Sequence, residues 1–328
     1  MTQAKIRLLD IFHTAPEVPA KLRAMWALRC IGEANPDFLI TCLGNQHSEH
    51  IRGWAIRLLC ERGTPSLTSL KAITPHSLLE KLEWASALQR INTSDPEWRK
   101  ENGLPEVSDE RSDSNWRSLV NLSRQDENTY DQNLPHMIWY AGEKMIYEDV
   151  DRFLKWGVFS KIPLISSNVA RRVAEFTSEE NRIEKLIQAM TEIEGVEIQA
   201  AFLEGTLIGL EGTSSIRIPD EWPKLFAKFS KSNKPEVREG AIRLALKFND
   251  PTAIESLKNT AQNLDSDTGE RKRAIAALAS HGKEPITDLL IKVSEEPDLQ
   301  GDAIRAMSSQ NDKRIPEQLI QSFSSYPP

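Results

Sequence analysis

The chain has 328 residues, enough for two ordinary domains or one elongated repeat array, and its 39% hydrophobic and 27% charged residues suit a folded protein with a continuous core. A net charge of -7 argues against a bulk electrostatic grip on nucleic acid or an anionic membrane, because such binding needs clustered Lys and Arg. Three cysteines, Cys30, Cys42 and Cys60, are too few and too odd in number for a disulfide framework; Cys30 and Cys60 sit in apolar helical runs and are expected to be buried thiols.

In chain order, no run is long and apolar enough for a membrane span and no start resembles a signal peptide, so the segment reads either as cytoplasmic or as an internal piece of something larger. An amphipathic helix over Ile6 to Phe12 opens the chain. After it, helical patterns of about 10–15 residues alternate with short loops rich in Pro, Asn, Asp and Ser. Among these loops are Ala34-Asn35-Pro36, Gly63-Thr64-Pro65, Ser94-Asp95-Pro96 and Asn249-Asp250-Pro251. Strand patterns are nearly absent.

The second helices of successive pairs resemble one another. Trp26-Ala27-Leu28-Arg29, Trp54-Ala55-Ile56-Arg57 and Trp84-Ala85-Ser86-Ala87 begin 28 and then 30 positions apart; Ala241-Ile242-Arg243, Ala274-Ile275-Ala276 and Ala303-Ile304-Arg305 follow at 33 and 29. A period near 30 with two helices per unit predicts an all-α fold, a right-handed α-α superhelix of roughly eight to ten helix pairs, and the Val-Arg-x-x-Ala-Ile-Arg form resembles HEAT repeats. The whole of 1–328 is read as a single solenoid with irregular insertions near 92–114, 125–133 and 212–223, the first two as polar loops and the third as locally extended. The clearest unit is Pro235 to Pro251. Val237, Ala241, Leu244, Ala245 and Phe248 share one stripe, while Ile242 and Leu246 lie off it, so this helix must be covered on two sides. Asn233 is expected to cap it, and Asp250 with Pro251 to cap and open the next.

Candidate functional residues are few. Trp26, Trp54 and Trp84 form either an aromatic ladder along a groove or filling between helix pairs. Arg29, Arg57, Arg243 and Arg305 form either an anion-binding column or ion pairs to carboxylates of the adjacent repeat, for which Asp37 and Asp250 are placed. Trp139 and Tyr140 are either a pocket wall or inter-repeat packing. Cys42, His47, Glu49, His50 and Cys60 carry metal-ligand chemistry, but their spacing matches no common zinc site and the polar run reads equally as an inter-helix turn. Glu192, Glu194 and Glu197 read as a solvated helix end. Phosphate loops, nucleophile elbows and haem-attachment motifs are lacking, so no catalytic residue, metal or cofactor is expected.

One ordered set of motifs is more distinctive: Ala85-Ser86-Ala87-Leu88-Gln89-Arg90, then Asp131 to Glu143 (with Leu134-Pro135 and Trp139-Tyr140), Lys161-Ile162-Pro163-Leu164, Val169-Ala170-Arg171-Arg172, Glu204-Gly205 to Leu210-Glu211-Gly212, Pro219-x-x-Trp222, and Phe248-Asn249-Asp250-Pro251. In this order they resemble the helical segment of large exported planctomycete-type proteins described as membrane-bound dehydrogenases with a haem domain. In that family a sugar-dehydrogenase-like propeller precedes the helical segment and a c-type cytochrome domain follows it. The resemblance implies a non-catalytic spacer or docking surface in an exported or cell-envelope parent, with neighbouring domains or another protein as partner, no nucleic acid and no membrane insertion. Two rivals stand beside it: a HEAT-like DNA glycosylase, which the acidic balance opposes, and a cytoplasmic HEAT adaptor for a peptide or protein.

Overall fold

A computed structural model describes residues 3–61, 71–91, 109–176, 180–213, 216–282 and 285–322. Among them the chain is all helical, with α-helices joined by short turns, two 3-10 turns at Asp126–Tyr130 and Glu143–Tyr147, and no strand. It divides into two compact units, Met1–Gly209 and Leu210–Pro328.

The loop residues act as the helix punctuation their chemistry dictates. Asn35 accepts the Phe38 amide at 2.9 Å with Pro36 opening the helix, Asp149 accepts the Arg152 amide at 2.9 Å, and Asp267 accepts the Glu270 amide at 3.1 Å. Each satisfies a donor that the first helical turn leaves unpaired. In the second unit, Asp250 accepts from the Thr252 and Ala253 amides and Pro251 starts the helix, as the sequence predicts. Asn249 before it takes φ 57, the left-handed region, and lets the chain turn at once from one helix into the next.

The first unit begins on a core of Phe12, Met25, Leu28, Leu39, Ile51 and Ala55, and its helices then pack on their neighbours in succession. Two of its helices, Pro163–Glu175 and Val196–Gly209, approach each other closely. Gly205 and Gly209, one turn apart, lie against the Ser167 and Arg171 carbonyls, so a Cβ on Gly205 would collide with the Ser167 backbone. In the second unit, Pro235–Lys247 touches Trp222–Phe229 on one side and Pro251–Gln262 and Thr268–His281 on the other. Val237, Ala241, Leu244, Ala245 and Phe248 are all buried, while Leu246 and Ile242, off that stripe, pack into a cluster with Ile254, Leu257, Ala274, Ile275 and Leu278, so the double coverage read from the sequence is present.

Four local expectations are corrected. The helix Pro235–Lys247 is preceded by Lys234, not Asn233, in the cap position, and no side chain caps it; Pro235 at its first position lacks the N–H that most needs a partner. Asp109 to Ser114, read as part of an exposed loop, opens the helix Asp109–Ser123, because Trp116, Leu119 and Leu122 further along supply a buried stripe that outweighs the polar start; residues 92–108 of that insertion lie outside the described residues. The stretch 125–133 is not simply a polar loop: Asn128 is fully buried and donates to the Leu122 carbonyl at 2.6 Å. Finally, Cys30 is exposed, because it ends its helix on the solvent side, whereas Cys42 and Cys60 are buried.

Candidate functional site

The structure does not gather Trp26, Trp54 and Trp84 into one ladder. Trp26 is 37% exposed, Trp54 is half-buried against the N-terminal core, and Trp84 is 3% exposed. Trp26 and Trp54 meet edge to face with ring centroids 4.8 Å apart, and the Arg57 guanidinium sits 4.9 Å over the Trp54 ring. The result is a small aromatic–cationic surface contributed by Val18–Cys30 and Glu49–Leu59. Trp84 belongs instead to Leu78–Ile91, which is flanked by Glu49–Leu59 and Leu134–Gly142.

Arg29 and Arg57 pair across the repeat, as one of the two sequence readings requires, but with glutamates rather than Asp37 or Asp250, whereas Arg243 and Arg305 do not follow that pattern. Arg29 donates to Glu61 at 3.2 Å, and Arg57 lies 4.0 Å from Glu83. Lys5 and Glu33, and Arg52 and Glu80, repeat the pattern with partners 28 residues apart in each case. Glu80 is the most deeply held. Burial pushes its carboxyl up, but hydrogen bonds from Arg52 at 2.6 and 3.0 Å, the His76 amide at 3.0 Å and the Ser77 hydroxyl at 3.1 Å outweigh that and hold it below the ordinary glutamate value. In the C-terminal unit Arg271 and Glu296 form a two-point pair at 2.6 and 2.7 Å. Asp250 is engaged elsewhere: its second oxygen accepts the indole N–H of fully buried Trp222 at 3.0 Å. Arg305 pairs at 2.8 Å with Asp302 on its own helix, and Arg243 is exposed.

Trp139 and Tyr140 split. The Trp139 ring stacks on buried Trp156, 6.2 Å between centroids and 4° between planes, while one face helps line a cleft of about 320 Å³ with Glu143, Tyr147, Arg171 and Arg172. It is both packing and pocket wall. Tyr140, its neighbour on the helix, is 45% exposed. The Asp131 carboxylate fixes this helix by accepting the Asn133 and Leu134 amides at 2.8 and 2.7 Å.

The Cys42–Cys60 neighbourhood has no metal-site geometry: among the described residues no group of three or more His, Cys, Asp or Glu is placed to hold an ion. Burial raises the Cys42 thiol to about 12 and the Cys60 thiol to about 11, so both stay protonated at neutral pH. His47 is pushed below its ordinary value by burial first and then by Lys21, His13 and Arg52, and its ring packs 5.6 Å from Phe12. Glu192, Glu194 and Glu197 are all exposed.

Sequence reasoning missed a second arrangement. Helices Asp109–Ser123 and Val150–Phe159 run side by side in the same direction, since Arg152 reaches Asp113 at 2.8 Å while Trp156 donates to the Ser123 hydroxyl at 3.2 Å. Between them lies a cleft of about 340 Å³ lined by Arg117, Arg124, Arg152 and Lys155 over buried Trp116 and Trp156, with exposed Phe159 at one end. The signal was available as two helical stripes, Arg117, Asn121 and Arg124 on one helix and Arg152, Lys155 and Phe159 on the other.

No family model matches the chain, and no curated protein is detectably similar to it. Among the described residues no helix is long and apolar enough to cross a membrane.

Proposed function

We propose that this chain is a non-catalytic helical-repeat scaffold that holds a protein partner, most simply the neighbouring domains of its own polypeptide. The observation that carries the reading is the exposed Trp26–Trp54 pair with Arg57 on its rim. Trp and Arg side by side, one ring open and one anchored in the core, are the composition that dominates protein-binding hot spots. The right-handed superhelix of HEAT-like pairs belongs to the same reading and is supported by the period near 30 and by ion pairs joining residues 28 and 32 apart. So does an exported redox parent, which rests on the ordered motifs. Two of these segments touch, with Trp222 packing edge to face on Phe248 at 5.0 Å and bonding to Asp250.

The test is calorimetric titration of the chain with the protein segments encoded beside it in its gene. Binding is expected, and Trp26→Ala with Trp54→Ala is expected to weaken it while the fold persists. Binding indifferent to both substitutions overturns the assignment of this surface, and steady-state turnover of a sugar or nucleic-acid substrate by the purified chain overturns the non-catalytic reading.

A further inference from the structure

We infer that the cleft between Asp109–Ser123 and Val150–Phe159 is a docking site for an acidic segment of a partner protein that carries one apolar residue among its carboxylates. The inference rests on the scaffold reading for the kind of partner, and not on the Trp26–Trp54 surface.

Charge is the first ground. The chain has 41 basic against 48 acidic residues, yet the cleft collects four cations and, among the described residues, no carboxylate lines it. Asp113, at the rim, is held by Arg152. Among the described residues Arg124 and Lys155 bond to no carboxylate, so two cations face the cleft without a counter-charge of their own. Arg117 to Arg124 spans seven residues, about 10 Å at 1.5 Å per residue, a length that three or four residues of extended chain cover. Arginine recognises carboxylates with a planar fork, and two of these three are already oriented by flat rings: Arg124 lies 5.8 Å over Phe159, and Arg152 lies 5.1 Å over Trp116.

The aromatic content decides between acidic protein and nucleic acid. Sequence-tolerant binding of a single strand needs several open rings on which successive bases stack along a positive groove. Here Trp116 and Trp156 are buried as the floor, and only Phe159, 47% exposed, is open. One open ring beside four cations fits one apolar side chain among several carboxylates. The floor is held in place, because Trp156 is clamped by Trp139, by Phe153 and by its bond to Ser123, so the apolar base of the cleft keeps its shape when a partner docks.

Fluorescence anisotropy on the full chain tests the site with three labelled probes: a peptide of glutamates around one phenylalanine, the same peptide with glutamine for glutamate, and an oligothymidylate. The acidic peptide is expected to bind at low salt and to weaken at about 0.5 M salt, where screening is nearly complete. The glutamine peptide is expected to bind at least about tenfold more weakly, and Arg124→Glu with Lys155→Glu to cost the acidic peptide about tenfold or more. Arg124→Gln alone serves as the milder variant should the double reversal fail to fold. Trp26→Ala is expected to leave peptide binding intact, which separates this site from the N-terminal surface. Equal binding of both peptides, indifference to the charge substitutions, or tighter binding of oligothymidylate lost on the same substitutions overturns the inference.

Discussion

Trp26 and Trp222 show how one residue type serves two ends. Trp222 is fully buried in the C-terminal unit, with its indole N–H bonded to Asp250 and its ring edge-to-face with Phe248. Trp26 in the N-terminal unit leaves 37% of its surface open and meets a second tryptophan edge to face. A buried indole needs a partner for its one donor, and the second unit supplies a carboxylate that also caps the next helix. Trp84, which shares Trp26's place in the repeat pattern, is 3% exposed. The comparison teaches that position in a repeat sets which side chain is offered, while the neighbouring helices set whether it becomes core or surface.

Substitutions that break the comparison should rank accordingly. Trp222→Ala is expected to cost about 3–5 kcal/mol in denaturant unfolding and Trp84→Ala a similar amount, because both empty a packed site. Gly205→Ala should cost about 1–3 kcal/mol, since its Cβ meets the Ser167 carbonyl and two backbones must separate; an unchanged thermal midpoint contradicts the close approach. The sign for Glu80 follows from its lowered folded-state value. Its contribution is present above the unfolded-state value of about 4.3 and is lost as pH falls through the folded value. Glu80→Gln should therefore destabilise the protein at neutral pH and make the acid limb of its stability profile shallower. Trp26→Ala should change stability by less than about 1 kcal/mol while weakening partner binding. At the smallest end, a thiol reagent on the native protein should modify Cys30 rapidly and leave Cys42 and Cys60 for unfolding conditions, because burial keeps those two protonated. Rapid modification of all three breaks the burial assignment.

The helices, their Pro openings and the Asp250 cap were legible because they depend on residues within one turn of each other. The doubly covered helix Pro235–Lys247 was legible for a related reason: apolar residues on two faces demand two neighbours. Burial of the tryptophans was not, since it depends on helices some 30 residues away, and the same Trp-Ala start precedes both a surface and a core. Asp109 to Ser114 misled because its polar residues hide that the stripe completing the helix lies downstream at Trp116, Leu119 and Leu122. The cationic cleft escaped notice because its charges are ordinary solvated residues on each helix separately. Only the parallel placement of two helices brings Arg124 beside Phe159.

The side-chain bonds that tie one helical segment to another also bear on how the protein comes apart. Arg271 to Glu296 joins residues 25 apart, Trp222 to Asp250 joins residues 28 apart, and Lys81 to Asn128 joins residues 47 apart. Such ties close loops of a few tens of residues, local contacts of the kind that favour rapid folding from nearby nuclei. If the helices form the solenoid proposed above, stability is distributed along the chain, and local opening can occur in one stretch without melting the rest. Hydrogen exchange should accordingly report a graded profile, with protection highest where Gly205 and Gly209 bring two helix backbones together.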